Sequence, residues 1–160
     1  MSIRLTDAEI DRLIRERKHL PPDYRSPFRT KQKHGHQEQE LDFTGVGGNK
    51  FRILLRQSNG NPFDFSVILA LLPEAGALFR LRRYNGKSHQ HTNGIENQTF
   101  YDFHIHQSTE RYQDLGMRED TFAQTTDRYG DLEGAIRCML SDCGFIAPDD
   151  RQTRLFGEEW

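Results

Sequence analysis

Cysteine, long apolar runs and net charge are what this chain has least of. Its two cysteines, Cys138 and Cys143, stand five positions apart on a stretch with helical periodicity. That is a poor geometry for a disulfide, so both are expected as reduced, mostly buried thiols. No apolar run approaches the roughly 20 residues that a membrane helix needs. The longest, Val67 to Leu72, suits a buried strand. The opening MSIRLTDAEIDRL lacks a signal peptide's apolar stretch, and the expectation is a cytoplasmic protein with no membrane partner. Net charge is only −2 over 160 residues, which by itself singles out neither a polyanion nor a polycation as partner.

The small net charge hides an uneven distribution. Residues 1–91 carry 16 Lys/Arg against 10 Asp/Glu, and residues 92–160 carry 6 against 14. Such asymmetry marks either a surface for a polyanion or acidic and basic patches that dock protein partners; complementary surfaces within one fold explain it equally well. A hydrophobic fraction of 34% is low, but 11 phenylalanines argue for a packed core over disorder. The length suits one domain, 1–160.

Periodicity divides that domain into four parts. Residues 1–20 read as a helix: Thr6 and Glu9 have capping-box spacing, Ile10, Leu13 and Ile14 form a stripe, and Pro21-Pro22 end it. Residues 23–39 form a basic connector too poor in apolar residues to build an element. Residues 40–106 alternate, with strands expected at 40–46, 50–57, 63–72, 78–84 and 99–106 between short Gly, Asn and Pro turns. Residues 107–160 are mainly helical, with one short helix at 108–116 and a better one at 131–144 that Asp131 caps and Gly144 ends. The tail is expected to dock through Phe156 and Trp160. The fold class is α+β: a single antiparallel meander sheet of about five strands, with the N-terminal helix and the C-terminal helices packed on one face.

Strand parity sorts side chains by face. Phe51, Ile53, Leu55, Phe79, Leu81, Tyr101, Phe103 and Ile105 fall on a core face. Lys50, Arg52, Arg56, Arg80, Arg82, Tyr84, Asp102, His104 and His106 fall on the other. That second face draws notice because six of the seven histidines stand in His-x-His pairs, at 34/36, 89/91 and 104/106.

Three chemistries fit the pairs. Asp102, His104 and His106 offer ligands for Zn²⁺ or another divalent ion with a position open to water. His89, His91 and Glu96 echo the spacing of a cupin metal motif, although the flanking glycines and a second motif are missing. Alternatively, His89, His91, His104 and His106 act without metal as acid and base on a phosphodiester, with Arg111 beside them. Arg82, Arg83 and Asn85 then hold the substrate, and Tyr84 or Tyr112 stacks on a base. In the third reading the histidines only hydrogen-bond a long loop in place; the pair at 34/36 is read as a flexible contact loop.

Taken together, LRRYNGKSHQHTN, FHIHQSTERYQ and RYGDLEGAIRCMLSDC resemble a small uncharacterised bacterial family, a domain of unknown function, over most of the chain. The Arg-rich strand followed by an H-x-H loop and a second strand is also similar in layout to small toxins of bacterial toxin–antitoxin pairs, a resemblance that implies action on RNA. The leading expectation is therefore an RNA-binding protein, possible ribonuclease included, working on the basic His-bearing face. The alternatives are a non-enzymatic module that binds a protein partner and a metal-dependent enzyme with a His/Asp site.

Overall fold

A computed structural model describes residues 3–20, 29–33 and 35–146. In chain order the elements are α1 (Asp7–Arg15), β1 (Lys18–His19), β2 (Arg29–Lys33), β3 (His36–Thr44), β4 (Lys50–Ser58), β5 (Phe65–Leu72), β6 (Phe79–Asn85), β7 (His91–Asn93), β8 (Gln98–Phe100), β9 (His104–Gln107), α2 (Glu110–Asp114), β10 (Ala123–Thr125), α3 (Leu132–Asp142) and β11 (Phe145–Ile146). The architecture is α+β. Seven antiparallel strands form one sheet in the order β10-β9-β6-β5-β4-β3-β2, and among the described residues no helix is long and apolar enough to cross a membrane.

The helices start where their caps predict. Thr6 Oγ1 accepts from the Glu9 amide while the Glu9 carboxylate accepts from the Thr6 amide, and Asp131 caps α3 through the Gly134 amide. Ile10 and Ile14 of α1, with Ala135, Ile136, Met139 and Leu140 of α3, join Phe51, Ile53, Val67, Leu69, Phe79 and Leu81 in one core. At its edge the three N–H groups of the buried Lys18 ammonium are shared among four carbonyls, those of Leu13, Ile14, Glu16 and Cys143, at 2.7–2.9 Å. The ammonium satisfies the C-terminal ends of both long helices at once. Cys138 and Cys143 are free thiols.

Four expectations need correction. The connector is not structureless throughout: Arg29–Lys33 and His36–Thr44 pair as a hairpin that extends the sheet. Over Arg29–Lys33 and His36–Glu40 the sequence is polar throughout, so the apolar alternation that would mark a strand is absent there. His36 belongs to β3, with Nε2 3.0 Å from Glu38 Oε2; His34 and the tail bearing Phe156 and Trp160 lie outside the described residues. The expected strand 99–106 breaks at 101–103 into β8 and β9, and Tyr101 is exposed.

The fourth concerns β6, where the register against β5 jumps. Leu69 pairs with Arg82 and Ala70 with Arg80, so Leu81 is the extra residue of a β-bulge. Beyond it the faces exchange. Tyr84 turns into the core, fully buried, and its hydroxyl donates to Asp142 Oδ2 at 2.7 Å. Arg82 lies near Tyr84, Cys143 and Asp142 on the helix side. Arg83 and Asn85 go to the opposite face, paired in register with His106 and His104.

Candidate functional site

The face away from the helices is not simply solvated. His104 and His106 project from β9 on that side, as the i, i+2 spacing requires, yet they are only 1% and 3% exposed. What covers them is the β7–β8 hairpin, which folds back and brings the His91 ring to 4.8 Å from His106 and 5.4 Å from His104, centroid to centroid. Phe100 of β8 closes the side at 5.5 Å from His104.

Side chains of α2 and the backbone of β10 hold the hairpin in position. Asn93 is fully buried, its Nδ2 donating to the Ala123 carbonyl at 2.6 Å and its Oδ1 accepting from the Ala123 amide at 2.9 Å. The side-chain amide thus pairs with β10 as a strand would. At the hairpin turn, Tyr112 donates to Glu96 Oε1 at 2.7 Å and accepts from the Ile95 amide, while Arg111 meets Glu96 at 2.6 Å.

A ring nitrogen from each of His91, His104 and His106 lies within 4.8 Å of the other two. Each ring also spends one nitrogen on an oxygen acceptor. Nδ1 of His104 donates to the Asp102 carbonyl at 2.7 Å and Nδ1 of His106 to the Asp120 carbonyl at 2.8 Å. Asn93 Oδ1 already accepts from an amide, so His91 Nε2, at 2.9 Å, must be its second donor. The tautomers follow: Nε2 of His104, Nε2 of His106 and Nδ1 of His91 keep lone pairs. Three imidazoles, each with one nitrogen held by an oxygen and the other left with a lone pair, lie close enough together that they could hold a metal ion. A tetrahedral ion with bonds of about 2.1 Å needs nitrogens about 3.4 Å apart, so the rings draw inward on binding.

Electrostatics favour the neutral rings. Burial pulls the His104 pKa down to about 4, with the hydrogen bond to the Asp102 carbonyl opposing it and His91, Arg83 and His89 adding to it. Burial pulls His106 down to about 2, reinforced by the Arg83 guanidinium and the two neighbouring imidazoles. Both stay unprotonated, as a metal ligand must.

The remaining residues singled out in the sequence fall in different places. His89 is exposed on the β6–β7 loop, its ring centroid 6.5 Å from that of His104 and its Nδ1 3.1 Å from Ser88 Oγ. Asp102 has an exposed side chain and serves through its backbone carbonyl; His91 takes the third place expected of it. Arg82 and Tyr84 are on the helix side, and Tyr112 is fully buried, so neither tyrosine can stack on a base. Arg111 anchors the hairpin turn and has no place at the imidazoles. Arg83 and Asn85 do reach the site: Asn85 Nδ2 stands 3.5 Å from His104 Nε2.

Asp120 and Asn93 escaped the sequence reading. Asp120 is fully buried, its carboxylate taking Arg83 Nε at 3.0 Å and Arg118 Nε at 2.7 Å while its carbonyl holds His106. Nothing in its local sequence, MRED, separates it from a surface acid. Asn93-Gly94 carries a turn signal that masks the buried amide. No family model, curated protein or solved structure matches the chain.

Proposed function

We propose that the chain is a metal-dependent enzyme whose centre is a divalent ion, Zn²⁺ in the simplest case, held by His91, His104 and His106. The observation that carries this reading is the convergence of three imidazoles, each with its second nitrogen committed to an oxygen. Buried histidines that were only structural would need no such common direction. Three protein nitrogens leave a coordination position for water, whose pKa an N₃ zinc site lowers to about 7. A bound ion would supply Lewis-acid activation of water, chemistry suited to hydrolysis of a small substrate. His89, exposed beside His104 and outside the ligand set, is placed to take up and release the proton.

The metal-free ribonuclease reading is less well supported. It loses His104 and His106 as proton donors, because burial lowers them to about 4 and about 2. It also loses Tyr84 and Tyr112 as stacking platforms, because both are fully buried.

Equilibrium dialysis against Zn²⁺ tests the proposal. One ion per chain is expected, with affinity reduced at least about 100-fold in His91→Ala, since one of three ligands is lost. Absence of stoichiometric binding at micromolar free Zn²⁺, or equal binding by His91→Ala, sinks the metal reading.

A further inference from the structure

Beside the imidazoles, on the same open face of the sheet, lies a cleft of about 490 Å³. Its floor is apolar: Leu54 and Ile68 stand opposite each other on β4 and β5. Its lining carries three arginines, Arg80, Arg83 and Arg118. Asp120 engages Arg83 and Arg118 through their Nε atoms, which leaves their terminal amino groups to meet the oxygens of a ligand. Arg80 reaches Glu119 only at 3.5 Å. Three guanidinium groups against two carboxylates leave one positive charge at this corner. Farther along the cleft Arg56 pairs with Asp64 at 3.0 Å, and the Glu38 carboxylate lies 3.0 Å from His36 Nε2.

A second observation points at a ligand. Asn85 lines the boundary between cleft and imidazoles, is only 4% exposed, and its Oδ1 has no hydrogen-bond partner. A buried acceptor left open at the mouth of a cleft calls for a donor from a bound molecule or a water it displaces.

We infer that this cleft is the substrate subsite of the centre and takes a small molecule ending in an oxyanion, carboxylate or phosphate, held by the guanidinium groups of Arg80, Arg83 and Arg118. A short apolar body rests on Leu54 and Ile68, and a hydroxyl or amide donates to Asn85 on the way to the imidazoles. Planar guanidinium groups match both oxyanions, so the arginines define their shared chemistry. The inference rests on the metal-centre reading for the reaction at the far end of that molecule.

Calorimetric titration with inorganic phosphate and, separately, hexanoate separates the two oxyanions. The protein is compared with Arg80→Gln/Arg118→Gln, and Zn²⁺ content is measured in parallel. Saturable binding of at least one probe at one per chain is expected, weakened at least about tenfold in the double variant with Zn²⁺ content unchanged. If the double variant does not fold, Arg80→Gln alone replaces it, since its carboxylate partner among the described residues is Glu119 at 3.5 Å. No saturable binding of either probe, or equal binding by the variant, overturns the inference while a normal Zn²⁺ content leaves the metal reading standing. Arginine-dependent binding by protein that takes up no Zn²⁺ overturns the metal reading, and with it the claim that this cleft serves such a centre.

Discussion

Lowering the pH of the metal-free protein from 7.5 to 5.0 should remove about 4 kcal/mol of folding stability through two residues. An unfolded imidazole titrates near 6.5; in the folded chain His104 is held at about 4 and His106 at about 2. Because the folded values lie below the unfolded one, the unfolded state takes up more protons across this window, and stability falls as pH falls. It is fully present above about 6.5, and the loss continues down to about 4 for His104 and about 2 for His106. At pH 5.0 an unfolded imidazole is 1.5 units below its pKa, which is about 2 kcal/mol for each histidine. Both rings are still neutral in the folded state at that pH, so the two contributions add. The figure is insensitive to the folded values so long as both lie well below 5.

Urea unfolding in the presence of a chelator measures this directly, at pH 7.5, 6.5, 5.5 and 5.0. Asp64 and Asp142, whose partners hold their carboxyls below the usual range despite burial, lose their stabilisation only at lower pH, so the upper window isolates imidazoles. His104→Asn/His106→Asn is the control, since an asparagine amide sits near the Nδ1 position and can still donate to the Asp102 and Asp120 carbonyls. A wild-type loss under about 1 kcal/mol, or the same loss in the double variant, would refute the reasoning: the rings would then be accessible to protons in the folded protein. Against typical stabilities of about 5–15 kcal/mol, the expected loss is easily measured.

Two further substitutions probe the supports of the fold and of the site. Lys18→Met removes the donor shared by four carbonyls, two of them fully buried; at about 1–3 kcal/mol per unsatisfied buried acceptor, partly offset by not burying a charge, a loss of about 2–4 kcal/mol in urea unfolding is expected, and a change under about 0.5 kcal/mol would show that water replaces the ammonium without cost. Asn93→Ala takes away the acceptor of His91 and both bonds to Ala123, so Zn²⁺ affinity by calorimetry should fall about 10–100-fold with all three ligands still present; affinity within twofold of wild type would remove Asn93 from the support of the centre.

The helices and the middle of the sheet were legible because each is specified locally. Thr6 with Glu9, Asp131 before an apolar stripe, and alternating Phe51, Ile53 and Leu55 carry their own structural signals. What was illegible depends on partners distant in sequence. Residues His36–Glu40 of β3 are half-buried polar side chains, so the segment has no apolar period to betray it. The bulge at Leu81 is set by the register of β6 on β5, and an uninterrupted parity count therefore put Tyr84 on the wrong face. The burial pattern of β6 follows from that one extra residue.

The site shows the same division at closer range. His104 and His106 were legible as a pair because two positions along a strand guarantee a common face. The third imidazole could not be assigned the same way, since a strand supplies at most alternate residues and Asp102 precedes the start of β9. His91 arrives from a hairpin whose docking depends on Asn93 pairing with Ala123 and on Tyr112 and Arg111 gripping Glu96, contacts spanning 15 to 30 positions. Yet these same contacts explain residues that looked catalytic in the sequence. Arg111 and Tyr112 matter to the imidazoles through the hairpin they hold, and Asp120 joins the arginine corner of the cleft to His106 through one residue's carboxylate and carbonyl.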